Sequence, residues 1–232
     1  TSTWDISMNT LTTELESSTR RKWLVTLVGL ALALGVACLP IGDWDHEFAG
    51  IGHLIGNEAI WWIYVAVVLW YVRKREYRPL SSIGFRTPGM KNIALGMGAG
   101  LLITAVLGAM YIVVLPALHL NDSVASTTNA GALMATPFWW RFISTIRAAV
   151  TEEVLFRGYA LERIEELSGS RIVAVAVSCA VFTLAHVSSW GWSHELIVAV
   201  GGLAFSLLYL WRRNLWVNII AHFIVDAMSV LA

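Results

Sequence analysis

Apolar residues in this chain come in long blocks, and most polar residues fall in short clusters between them. A bilayer span needs about 20 mostly apolar residues. Runs of that kind lie at roughly 23–41, 54–72, 92–117, 138–162, 172–190, 194–211 and 214–232. The pattern predicts an all-α protein, a polytopic transmembrane helical bundle of about seven spans. The last three blocks are separated by very short connections and should form antiparallel neighbours. Arg20-Arg21-Lys22 ahead of Trp23–Pro40 superficially resembles the start of a signal peptide. The apolar run is long enough to span and no clear small-x-small cleavage pattern follows, so it is read as a retained first span. The segment 73–91, broken by Pro79 and Pro88, reads as a basic loop, and 118–137, rich in Asn, Ser, Thr and Ala, as an external loop. Gly96, Gly98, Gly100 and Gly108 favour close helix packing in the third span.

Composition sharpens the class. The 232 residues are 57% hydrophobic and 14% charged, against about 25% charged in ordinary soluble domains. This is the balance of an integral membrane protein, here read as a single domain over 1–232 with its motif-bearing core at about 138–232. The formal net charge is zero and no basic stripe is present, which argues against nucleic acid as a partner. Cys38 and Cys179 are far apart in apolar segments and read as small core residues, not as a disulfide or metal motif.

The distribution of charge then orients the spans. Arg20, Arg21, Lys22, Arg73, Lys74, Arg75, Arg78, Arg86, Lys91, Arg163, Arg171, Arg212 and Arg213 all fall on one side of the seven-span arrangement, 13 of the 16 basic residues. The opposite loops, 42–53, 118–137 and 190–194, contain none. Lys and Arg are retained on the cytoplasmic side, so the N-terminus is expected in the cytoplasm and the C-terminus outside. Eleven of the twelve tryptophans lie near the expected span ends, Trp140 among them and Trp4 excepted, as an interfacial aromatic belt requires.

Against this background a few polar residues stand out because lipid solvates ions poorly. An ionised Asp, Lys or Arg at a helix centre costs roughly 2.5–3.5 kcal/mol on insertion scales. Yet Glu152, Glu153, Arg157, His186, His222 and Asp226 lie inside the apolar blocks, which by default suggests a functional site facing the protein interior. Glu153 and Arg157 are spaced i,i+4 and can pair along one face. A structural ion pair explains those two. Glu152, about 100° away around the helix, is left free to face a cavity. Phe182 and His186 share one face of the fifth span, and His222 and Asp226 one face of the seventh. Either pair alone is consistent with simple packing. Three helices with inward polar faces point to a shared wet cavity.

Glu152-Glu153-x-x-x-Arg157, Phe182-x-x-x-His186 and His222-x-x-x-Asp226, in this order on successive membrane helices, resemble the three motifs of the CPBP family. That family includes CAAX prenyl endopeptidases of the Rce1 type and bacterial Abi-type membrane proteases. The match covers about 150–228, and each motif is weak alone but specific in combination. The resemblance implies an intramembrane endopeptidase with a glutamate-activated water. By position it makes Glu152 the general base and His186 the residue that helps hold and activate the water. His222 and Asp226 would stabilise or position the oxyanion, with Glu153, Arg157 and Phe182 shaping the site. The last motif position is commonly Asn or Asp in that family, and a carboxylate at Asp226 is a poorer oxyanion donor than an amide. The residues suit the chemistry independently, because a carboxylate in a desolvated pocket is a better base near neutrality. An oxyanion needs preorganised donors; His222 can supply one, with Asp226 holding its ring in one tautomer.

No cofactor is expected. The alternative is zinc at the Glu152/His186/His222/Asp226 cluster, since Zn²⁺ accepts imidazole and carboxylate, although no His-Glu-x-x-His helix is present. The expected partners are membrane lipids and a membrane-associated protein or peptide: a prenylated CAAX protein, a peptide pheromone or an anchored precursor. The expected location is the cell membrane, as a multi-pass protein of a bacterial plasma membrane. A noncatalytic immunity or scaffold protein and a transporter or proton relay are the rival readings.

Overall fold

The computed structural model describes residues 21–35, 50–120 and 124–231, and no strand occurs among them. Helix α1 covers 21–35 of the first expected span; Cys38, Trp4 and Trp44 lie outside the described residues. Helix α2 runs Gly50–Lys74 and α3 Gly89–Ala117, with a π-type stretch at Met110–Val114. Helix α4 is Val124–Ala135. Helix α5 is built of Phe138–Glu152, a π-type stretch Glu153–Leu161 and Glu162–Ser168. Helices α6 (Arg171–Trp190), α7 (Glu195–Arg212) and α8 (Leu215–Val230) complete the bundle.

Four of these, α2, α3, α6 and α7, are long and apolar enough to cross a membrane. The other expected spans are also helical but fall short for identifiable reasons. The description of α1 stops at residue 35. Helix α5 carries Arg141, Arg147, Glu152, Glu153 and Arg157, and α8 has only 16 residues. One expectation needs correction. The segment 118–137 is not a plain loop but contains α4, whose Asn129 amide donates to the Ser189 carbonyl at the end of α6.

Capping chemistry explains the short connections that hold the last helices side by side. The Ser170 hydroxyl accepts from the Val173 amide at the start of α6, and the Asn214 side chain accepts from the Trp216 amide at the start of α8. Each satisfies an amide that the first helical turn leaves without a partner. Gly169 closes α5 at φ +67°, a left-handed conformation suited to glycine.

Packing is closest between α3 and α8. A Cβ on Gly96 would lie 2.8 Å from the Val217 carbonyl, and one on Gly100 would lie 2.8 Å from the Ala221 carbonyl. The absence of side chains at these two positions lets the backbones touch, as small residues do between membrane helices. Gly98 and Gly108 meet nothing within 4 Å, so the packing role expected of all four glycines holds for Gly96 and Gly100. The main core gathers Val65, Val68, Val72, Val154, Leu155, Tyr159 and Leu215 around α5. Trp140 is also wholly buried, because it faces inward from the first turn of α5. It is therefore not part of an interfacial belt, whereas Trp62, Trp70, Trp139, Trp192, Trp211 and Trp216 are exposed.

Candidate active site

The π-type stretch of α5 begins at Glu153, directly after Glu152. Such i→i+5 turns are rare and recur at functional sites. Here the change of winding sits between two adjacent carboxylates that serve different surroundings. Glu152 keeps 19% of its side chain exposed and lines a cavity of about 1220 Å³; Glu153 is fully buried behind it. His186, His222, Asp226 and Phe182 line the same cavity.

Glu152 Oε2 lies 3.9 Å from His186 Nε2 and 3.8 Å from His222 Nε2. These separations exceed a direct hydrogen bond and leave the three groups aimed at one point. The opposite ring nitrogens are tied down. His186 Nδ1 is 2.7 Å from the Phe182 carbonyl, which can only accept, so Nδ1 carries the proton. In the neutral ring Nε2 is then left as an acceptor toward Glu152. His222 Nδ1 donates to Glu153 Oε1 at 2.9 Å, and the ring stacks on Phe205 at 4.6 Å. On the Nδ1 side the ring is thus held by Glu153. Asp226 Oδ2 instead stands 3.5 Å from His222 Nε2, on the cavity side.

Glu153 is the hub of the layer behind the cavity. It accepts from Arg157 Nη1 at 3.0 Å, from His222 Nδ1 and from Asn218 Nδ2 at 3.0 Å. Arg157 is fully buried as well, donates to the Gly202 carbonyl at 3.2 Å and lies over the Phe182 ring at 4.2 Å. A buried guanidinium with one carboxylate, one carbonyl and an aromatic face is neutralised where it stands. The i,i+4 pairing expected from sequence is present, and it also links α5 to α7 and α8.

Two participants were not singled out from sequence. Asn218 is one helical turn before His222, in Asn218-x-x-x-His222-x-x-x-Asp226, and also donates to the Phe205 carbonyl at 2.8 Å. Its spacing was the available signal. Glu58 is a lone carboxylate within the α2 span, itself a signal, and it accepts from Arg147 Nε at 3.2 Å. Arg147 lines the cavity with Trp61, over whose ring its guanidinium lies.

Ligands at tetrahedral Zn²⁺ stand about 3.3 Å from one another, given Zn–N and Zn–O lengths near 2.0–2.1 Å. The spacings from Glu152 to the two histidines, 3.9 and 3.8 Å, are longer. Among the described residues no group of three or more His, Cys, Asp or Glu side chains has the geometry to hold a metal ion.

Fold and site together define a multi-pass helical membrane protein with carboxylates and imidazoles gathered at the floor of an internal cavity. Residues 134–228, a stretch that contains all three motifs, match the family model described as Type II CAAX prenyl endopeptidase Rce1-like. The family indicates a CAAX-type intramembrane protease working in a lipid environment on a protein or peptide. No curated protein and no solved structure matches the chain.

Proposed function

We propose that the protein is an intramembrane endopeptidase that hydrolyses a peptide bond with a water activated by Glu152, without a metal. The observation that carries this is the convergence of His186 Nε2 and His222 Nε2 on Glu152 Oε2 at 3.9 and 3.8 Å in the cavity floor. Groups so spaced can share one water, each within hydrogen-bond reach. That water would donate one proton to the Glu152 carboxylate and point the other at His186 Nε2, the acceptor left by the bond to Phe182. Its oxygen attacks the carbonyl carbon while Glu152 takes the proton. The tetrahedral oxyanion needs donors, and His222 supplies one from Nε2 when its ring carries both protons, with Glu153 pairing Nδ1. Asp226, 3.5 Å from the same Nε2, orients that edge of the ring rather than donating to the oxyanion. Glu152 returns its proton to the leaving nitrogen as the C–N bond breaks, giving a carboxylic acid and an amine. Glu153, Arg157 and Asn218 position His222 from behind.

The test compares membrane proteins from cells expressing wild type with those expressing Glu152→Gln. The reading expects membrane-associated substrates to persist uncut in the variant, and identical cleavage patterns would defeat it. Purified wild type should carry no stoichiometric zinc and keep its activity through exhaustive chelation. Activity lost to a chelator and restored by added metal would overturn the metal-free mechanism and leave the peptidase standing.

A further inference from the structure

Among the described residues the cavity lies toward one end of the bundle, opposite the basic one. Its lining uses Asn57 and Trp61 from the first half of α2 and Thr104 to Ile112 from the second half of α3. From α6 it uses the last turns to Trp190, and from α8 the end at Ser229 and Val230. Helix α4 contributes Ala130, Leu133 and Met134 to the rim. Exposed residues bound the opening, among them Ile112 at 74% and Leu184 at 60% exposure. These two apolar edges suit a chain segment arriving from lipid.

The other end is closed by tight packing and ion pairs. Arg163, fully buried, donates to Glu76 at 2.7 Å and to the Ser82 hydroxyl at 3.0 Å, and Tyr159 donates to Glu76 at 2.6 Å. Arg213 pairs with Glu162 at 2.9 Å, and the Leu215 amide donates to the Gly84 carbonyl at 2.9 Å. A Cβ on Gly158 would stand 2.8 Å from the Ile83 carbonyl, which leaves no passage there. Arg73, Lys74, Arg78, Arg163, Arg171, Arg212 and Arg213 all belong to this closed end. None of them lines the cavity, where Arg147 is the only Lys or Arg among the described lining residues.

Lys and Arg clusters beside membrane helices stay on the cytoplasmic side. We infer that the cavity takes its substrate from the extracytoplasmic side. The segment cut would be an extracytoplasmic, membrane-proximal stretch of a membrane-anchored protein or peptide, not a cytoplasmic C-terminal tail. This rests on the endopeptidase reading for what happens to the segment, and on charge and cavity geometry for where it comes from.

The experiment uses intact cells expressing the full chain with Cys38 and Cys179 replaced by Ala. Single cysteines are placed at the cavity and its rim (Ser188→Cys, Ser229→Cys) and at the basic end (Ser81→Cys). A membrane-impermeant maleimide should label the first two from outside and leave the third unlabelled until the cells are opened. Labelling of Ser81→Cys alone in intact cells would overturn the inference. In the wild-type against Glu152→Gln comparison, the new chain ends should map to extracytoplasmic flanks of membrane anchors. Ends that map to cytoplasmic tails would overturn the inference and leave the peptidase intact. Absence of any difference would remove the peptidase reading and the substrate class with it, whichever side the label reports.

Discussion

Replacing Glu153 by Gln keeps its shape and removes its charge, and the surroundings set the cost. Arg157 would lose its ionic partner and keep a neutral amide oxygen, the Gly202 carbonyl at 3.2 Å and the Phe182 and Phe205 faces, with both members of the former pair fully buried. Breaking a buried ion pair by removing one partner costs about 3–5 kcal/mol, because the remaining charge is uncompensated. The amide adds a second conflict. Its oxygen must serve both Arg157 and His222 at the Oε1 position, which turns its NH₂ toward Asn218 Nδ2, formerly a donor at 3.0 Å. Against typical total stabilities of about 5–15 kcal/mol, this is a large fraction, so folded yield should fall sharply. The assay is heat-dependent loss of monodisperse protein in detergent, for Glu153→Gln, Arg157→Met and the double variant. Removing both charges should recover much of the loss, since buried pairs are often replaceable by apolar groups, and the double-mutant cycle isolates their coupling. A Glu153→Gln midpoint equal to wild type, or a double variant less stable than the two losses summed, would refute the hub assignment.

Glu152→Gln should retain wild-type yield and melting, because Glu152 makes no direct hydrogen bond to the site histidines. Its cleavage should fall by roughly 10²–10⁴-fold, the usual contribution of a general base, and cleavage at the wild-type rate would remove Glu152 from that role. Gly100→Ile should lower folded yield by forcing α3 off the Ala221 carbonyl, an overpacking cost of about 1–3 kcal/mol, while Gly98→Ile, which meets nothing within 4 Å, should not. Equal yields would show that the α3–α8 contact is loose. At the basic end, burial raises the Glu165 carboxyl, but hydrogen bonds from Arg213 and Arg171 outweigh it and hold the group below its ordinary value of 4.5. Its contribution to stability is therefore complete above that value and declines as pH falls through the lower folded one. Glu165→Gln should flatten the acid limb of the stability profile, and an unchanged limb would show that the cluster is not coupled to folding.

The helical class, the segregation of basic residues and the candidate polar positions are all legible in the sequence, for one physical reason. Lipid makes apolar length obligatory in a span and makes each charge within it conspicuous, so Glu152, His186, His222 and Asp226 stand out in the sequence itself. The i,i+4 spacing likewise gives the Glu153–Arg157 pair, because neighbours on a helix surface are set by local geometry. Contacts between helices are not encoded that way. That Glu153 holds the Nδ1 side of the His222 ring depends on how α5 and α8 face each other and on the π-type winding that begins between the two glutamates. Trp140 near a span end, Gly98 beside Gly100 and the polar 118–137 segment have local signals that fit a belt, a packing stripe and a loop. Tertiary structure buries the first, leaves the second without a neighbour and folds the third into a helix at the cavity rim. Toward which end of the bundle the cavity lies is likewise decided by packing between helices distant in sequence, although the charge that orients the bundle can be read from the chain itself.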